Sequence, residues 1–134
     1  MDKINYWLIE MNPEVWDVSK ADLGDRATLD SKNKGGALKP LLGDMKVGEL
    51  ILAYEASQNK HVARILAVTA ERDKISDDCY RDVVVKVIAD IPAVSLDEIK
   101  DKIPDLYKRI ASPAAIHKLT ADDYQAVLKV AYSK

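Results

Sequence analysis

Apolar positions alternate with polar ones along the first two thirds of the chain, and in its last third they recur at helical spacing. Residues 4–11, INYWLIEM, are dense in β-branched and aromatic types and predict an opening strand, with Tyr6 and Leu8 on one face and Trp7 and Ile9 on the other. Residues 50–56, LILAYEA, and 61–71, HVARILAVTAE, flank the polar run Ser57-Gln58-Asn59-Lys60 and predict a hairpin. Alternation over 80–91 predicts a long strand with Val83, Val85, Val87, Ala89 and Ile91 on one face.

Between these strands, Asn12-Pro13 suits the start of a short helical turn carrying Trp16, with Asn12 as its cap. Leu38, Leu41, Leu42 and Met45 predict a short helix over 37–43, with Pro40 in its first turn and Gly43 at its end. Ser95 with Glu98 and Thr120 with Asp123 have capping-box spacing, so two further helices begin there. In the second of them, Tyr124, Val127, Leu128 and Ala131 form an apolar stripe that packs on the sheet. Strands first and helices later predict an α+β class, one domain over residues 1–134, its sheet partly wrapped into a barrel.

Composition narrows the function. With 48% hydrophobic and 31% charged residues and only five Gly and five Pro, the chain has the profile of one ordered domain. The opening residues MDKINYWLIE lack the apolar run of a signal peptide, and no stretch approaches a membrane span, so the expected location is cytoplasmic. Cys79 is the only cysteine, which excludes an internal disulfide and a cysteine zinc cluster. A net charge of −2 argues against strong, sequence-independent duplex binding, so any nucleic-acid contact needs a local patch. Ser31 to Gly43 offers one, with Lys32, Lys34 and Lys39 and no acid; the same run also reads as a solvated loop.

Catalytic signals are weak. His61, at a strand start, and His117, in a predicted loop, have no Ser or Cys nucleophile in a suitable local setting, and no paired ligand spacing predicts a metal. Lys34-Gly35-Gly36-Ala37 lacks the spacing of a phosphate-binding loop, although two glycines allow a ligand close to the backbone. The expectation is a binding module without cofactor, not an enzyme. Trp7 and Trp16 are the informative aromatics, because an indole face can stack on a base; Trp7 is the better candidate for the core.

In their order, Tyr6-Trp7-Leu8, Asn12-Pro13 followed by Trp16, the turn Met45-Lys46-Val47-Gly48-Glu49, Leu52-Ala53-Tyr54-Glu55-Ala56, and the tail from Leu106 through Ser112 to Tyr124 are the residues of a known pattern. The chain resembles the EVE domains of the PUA-like superfamily, relatives of the YTH readers of methylated RNA. The resemblance implies a PUA-like mixed, partly closed β-barrel flanked by short helices, with a pocket for a nucleobase. Carried over, it puts Asn12, Trp16, Tyr54 and Ser112 at the pocket and Lys34 and Gly35 at its mouth. Ala27-Thr28-Leu29-Asp30 stands where many relatives carry a further tryptophan. The implied function is recognition of a modified or flipped base in DNA or RNA. The alternative is a protein-interaction or small-ligand module on the same barrel. Asn12 itself has two readings, helix cap and base contact.

Overall fold

In the computed structural model, residues 4–11, 20–29, 45–55, 61–71, 83–110 and 116–133 are described. Six strands, β1 (Tyr6–Met11), β2 (Arg26–Leu29), β3 (Leu50–Glu55), β4 (His61–Glu71), β5 (Val83–Ser95) and β6 (Ile116–Leu119), form one mixed sheet. Three helices accompany it: α1 (Leu96–Lys102), α2 (Pro104–Ile110) and α3 (Ala121–Tyr132). The strand order is β2-β5-β4-β3-β1-β6. All neighbours are antiparallel except β1 and β3, which run parallel in the register Tyr6 opposite Leu50 to Met11 opposite Glu55. The order is linear, and among the described residues no ladder joins β2 to β6. The architecture is therefore α+β with an open sheet.

Both faces of the sheet are buried, which explains strands richer in apolar residues than a half-exposed sheet needs. One face carries Leu8, Leu52, Tyr54, Val62 and Ile65, covered by Ile99 of α1, Leu106 and Ile110 of α2, and Tyr124, Val127 and Ala131 of α3. Tyr6 of β1 stacks on Tyr124 of α3 with ring centroids 4.5 Å apart. The other face gathers Trp7, Ile9, Ile51, Ala53, Leu66, Val68, Val85 and Val87. Among the described residues only Ala21 and Met45, outside the strands, join that second cluster, and no helix does.

Both capping boxes form. The Ser95 hydroxyl accepts from the Glu98 backbone while Glu98 accepts from the Ser95 N–H, and Thr120 and Asp123 repeat the pair. Several features differ from the sequence expectation. β1 begins at Tyr6, and β2, α2 and β6 are additional; each is seven residues or shorter, too short to print a period. His117, expected in a loop, is buried in β6 opposite Leu8. The fifth strand runs on to Ser95, through Pro92. Its predicted single apolar face is split: Leu66 opposes Val87 but Ile65 opposes Ala89, so Ile88 is an extra residue bulged out of the ladder. Val85 and Val87 therefore join the strand-only cluster while Ile91 joins the helix side. The helix expected over 37–43, the Trp16 turn and Cys79 lie outside the described residues.

A buried carboxylate holds the parallel pair. Glu49, immediately before β3, accepts from Trp7 Nε1–H at 3.0 Å and from the Lys46 N–H at 2.9 Å with Oε1, and from the Asn5 N–H at 2.9 Å with Oε2. Its side chain is held in place by the turn Lys46–Glu49, closed by Glu49 N–H to Lys46 C=O, in which Gly48 has φ +93°. That region favours glycine because it has no Cβ. The turn docks on β4 through Gly48 N–H to Val68 C=O and Val68 N–H to Glu49 C=O. Hydrogen bonds to a buried charge are worth about 1.5–3 kcal/mol each, and orphaning the donors costs more. Trp7→Phe should thus lower unfolding free energy by about 1–3 kcal/mol, and Glu49→Ala by more, because three donors lose their acceptor. Urea titrations should show both as lower midpoints at unchanged slope.

Candidate functional site

Several strands start or finish together at one end of the sheet. Because β1 and β3 are parallel, both end there, at Met11 and Glu55, and β6 begins there, with Ile116 opposite Ile9. β4 also starts at this edge, His61 lying opposite Glu55 and Ser95. Asn12 and Trp16 follow directly on β1, and Ser112 belongs to the connection between Ile110 of α2 and Ile116 of β6. Lys34 and Gly35 belong to the connection from Leu29, at the opposite end of the sheet, to Met45. Asn12, Trp16, Lys34, Gly35 and Ser112 themselves lie outside the described residues.

Tyr54 is the one expected site residue that the structure describes. It is the penultimate residue of β3, only 6% exposed, and its ring packs in the cluster covered by the helices. Burial pushes its hydroxyl pKa up, and the charges of Glu10, Glu55 and Asp97 push it the same way. Glu10, its register partner on β1, is half-buried, and burial raises its carboxyl above the usual range. Glu55 follows on the opposite face and is 3% exposed. Tyr107 of α2 is half-buried, with Lys100 Nζ 5.5 Å from its ring centre.

The sequence does not single out these two acids, because a charge closing an apolar strand also reads as the strand end. The available signal was that WLIE and LAYE put a carboxylate one or two residues inside the predicted strand limits. Trp7, by contrast, is fully buried, as expected of the core tryptophan. Among the described residues no group of three or more His, Cys, Asp or Glu could hold a metal, and no helix is long and apolar enough to cross a membrane.

The comparisons fit this arrangement. A family model described as the EVE domain matches residues 5–130. The chain belongs to the EVE domain family. Solved structures share the fold. A protein from Leishmania major is 20% identical with a TM-score of 0.77, over 98% of this chain and 96% of that one. The human THYN1 protein, in complex with 5-methylcytosine containing DNA, is 15% identical with a TM-score of 0.76, over 97% and 99%. Protein Atu2648 from Agrobacterium tumefaciens is 23% identical with a TM-score of 0.73, over 96% and 93%. Comparison with curated proteins gives no match.

In this EVE domain the connection that carries Ser112 is flanked by a salt bridge. Arg109 Nη2 of α2 reaches Asp123 Oδ1 of α3 at 2.6 Å, and the Thr120 N–H donates to Asp123 Oδ2 at 3.0 Å. Burial alone would raise the Asp123 pKa; the hydrogen bonds from Arg109 and Thr120 outweigh it and hold the carboxyl below its usual range. A carboxyl depressed on folding adds stability that is present above its unfolded value, about 3.9, and is lost as pH falls through the folded value. Arg109→Gln should therefore lower the thermal midpoint near neutrality, and the gap from the parent protein should close as pH drops below about 4. Melting curves across the acid limb check this; a gap constant at every pH would locate the effect elsewhere.

Proposed function

We propose that the chain is a nucleic-acid-binding module that takes a modified or flipped base into a pocket at the sheet edge where β1 and β3 end. The observation that carries the reading is the match of nearly the whole chain to the EVE domain, together with a structure of that fold, human THYN1, bound to 5-methylcytosine DNA. The topology supports it: the segments holding Asn12, Trp16 and Ser112 leave or enter the strands at that edge, beside Tyr54. Ligands of sheets with parallel strands commonly bind outside the strands' carboxyl ends, where side chains from several connections converge.

In this reading Trp16 stacks on the base, which is worth about 1–3 kcal/mol per base. Tyr54, its ring already packed among core residues, forms the floor. Asn12 and Ser112 contact the base edge, and Lys34 and Gly35, in a run with three lysines and no acid, meet the backbone phosphates. Leaving the stack costs a few kcal/mol in a duplex, so single strands and damaged or modified sites enter more easily. A buried methyl group adds only about 0.8 kcal/mol, so discrimination needs hydrogen bonds as well. The chain acts by binding, without catalysis or cofactor, in the cytoplasm. The finer fold belongs to the same proposal: a sheet curled toward a partly closed barrel accounts for a strand-only face that is buried without a described helix over it.

The net charge of −2 favours a second reading, a protein-interaction or small-ligand module on the same scaffold. Salt separates the two, because phosphate contacts make affinity fall linearly with log salt concentration.

Tryptophan fluorescence tests the first reading directly. Trp7 is buried and hydrogen-bonded to Glu49, so its emission is insulated from a ligand and quenching reports Trp16. Titration with oligonucleotides differing in one methylated base should give salt-dependent quenching that favours one of them. Trp16→Ala should weaken that binding by about tenfold or more, the equivalent of one lost stacking contact, and leave the thermal midpoint within a few degrees. No response to any oligonucleotide would transfer the weight to the interaction module.

A further inference from the structure

Glu10 and Tyr54 are register partners on adjacent parallel strands, so their side chains stand side by side on the helix-bearing face, about 5 Å apart at the backbone. Glu10 is half-buried, one residue from the end of β1. A partly desolvated carboxylate is costly unless hydrogen-bond donors reach it. Acids outnumber bases beside it, although Lys100 Nζ stands over the neighbouring Tyr107 ring. Glu10, Glu55 and Asp97 all act on the Tyr54 hydroxyl, and all three are acids. Such a neighbourhood repels phosphate and attracts N–H donors, so what enters beside Tyr54 is the donor edge of a base and not the backbone.

We infer that Glu10 is a specificity-determining residue of this pocket, its carboxylate accepting a hydrogen bond from the exocyclic amino group of the entering base. The inference rests on the base-binding reading above and narrows it to amino-bearing bases. An ionised carboxylate only accepts. Cytosine N4 carries donors where thymine and uracil carry the O4 acceptor, and adenine N6 carries them where guanine carries the O6 acceptor. The carboxylate therefore rewards the amino group and rejects the carbonyl by repulsion between lone pairs. Burial raises the Glu10 carboxyl, which fits a group held partly out of water and does not by itself choose the base.

The test compares two single-stranded oligonucleotides identical except for cytosine or uracil at the recognised position, titrated against the full chain and against Glu10→Gln. The parent protein should prefer cytosine by about tenfold, the usual worth of one hydrogen bond to a charged group. Glu10→Gln should bring the two within about twofold, because an amide of the same shape can turn its NH2 toward O4. A preference that survives Glu10→Gln would overturn the role of Glu10 and leave the pocket reading intact, provided Trp16→Ala weakens binding by about tenfold or more. Equal binding of the two oligonucleotides by the parent protein would overturn it without any variant. A parent protein that binds neither, nor any methylated form, would overturn both readings. A thermal midpoint for Glu10→Gln close to the parent's would show that the loss of preference is not a loss of fold.

Discussion

The Glu49 carboxylate is the interaction on which the remaining geometry depends. It joins groups 42 and 44 residues distant in sequence, and the pairing it enforces is the one parallel contact in the sheet. Parallel neighbours cannot be brought together by a tight turn, because the chain must cross over the sheet before it returns. Until that crossover closes, no local contact fixes the register of β1 against β3. A carboxylate with three donors fixes it at one point, since Trp7 Nε1, the Asn5 N–H and the Lys46 N–H can all reach it only when Tyr6 lies opposite Leu50. The cost of burying the charge is offset by that complete set of donors. Trp7 is thereby a strut: its ring fills the strand-only cluster, and Lys118 on the edge strand lies 6.0 Å from its ring centre.

Register then decides which side chains face which layer, because a shift of one residue would exchange the two faces. With Tyr6 against Leu50, the even-numbered residues of β1 and β3 meet the helices and the odd-numbered ones form the strand-only cluster. The same register brings the ends of β1 and β3 level, and sets Glu10 beside Tyr54. The bulges in β4 and β5 act locally on this plan. Tyr54 opposes Val62 while Ala53 opposes Arg64, so Ala63 is an additional residue, and beyond it β4 returns Val62 to the helix side. Bulges sharpen twist, and both of these fall in the long central strands, where a sheet must bend if its two ends are to approach.

How much of this was legible in the sequence follows from length and period. β1, the β3–β4 hairpin and α3 carry enough alternation or helical spacing to be read, and the two capping boxes mark their helices to the residue. β2 and β6 have four residues each, too few for a period, and α2 follows α1 after Ile103 alone, so it reads as a continuation. The split face of β5 was invisible because a bulge leaves the alternation of residue types intact while turning the chain over. The candidate site reads from the sequence as a set of landmark residues and not as a place: the order Asn12, Trp16, Tyr54, Ser112 carries no hint that three connections leave or enter strands at one end of the sheet. That convergence comes from the parallel pairing, which no turn signal announces.

The acids near Tyr54 bear on an apparent conflict between charge and function. A chain with net charge −2 that binds nucleic acid must separate the parts that meet phosphate from the parts that meet a base. In the proposed reading the separation follows from where the strands end. The lysine-rich run between Leu29 and Met45 departs from the end of the sheet opposite to the carboxyl ends of β1 and β3, while Glu10 and Glu55 close those strands. At the proposed base site, negative charge disfavours the backbone and leaves the neutral, donor-bearing edge of a base as the species of least electrostatic cost. The acidic balance of the chain is therefore compatible with reading a base, and it sets a direction: the more of the affinity that comes from the edge, the shallower its dependence on salt.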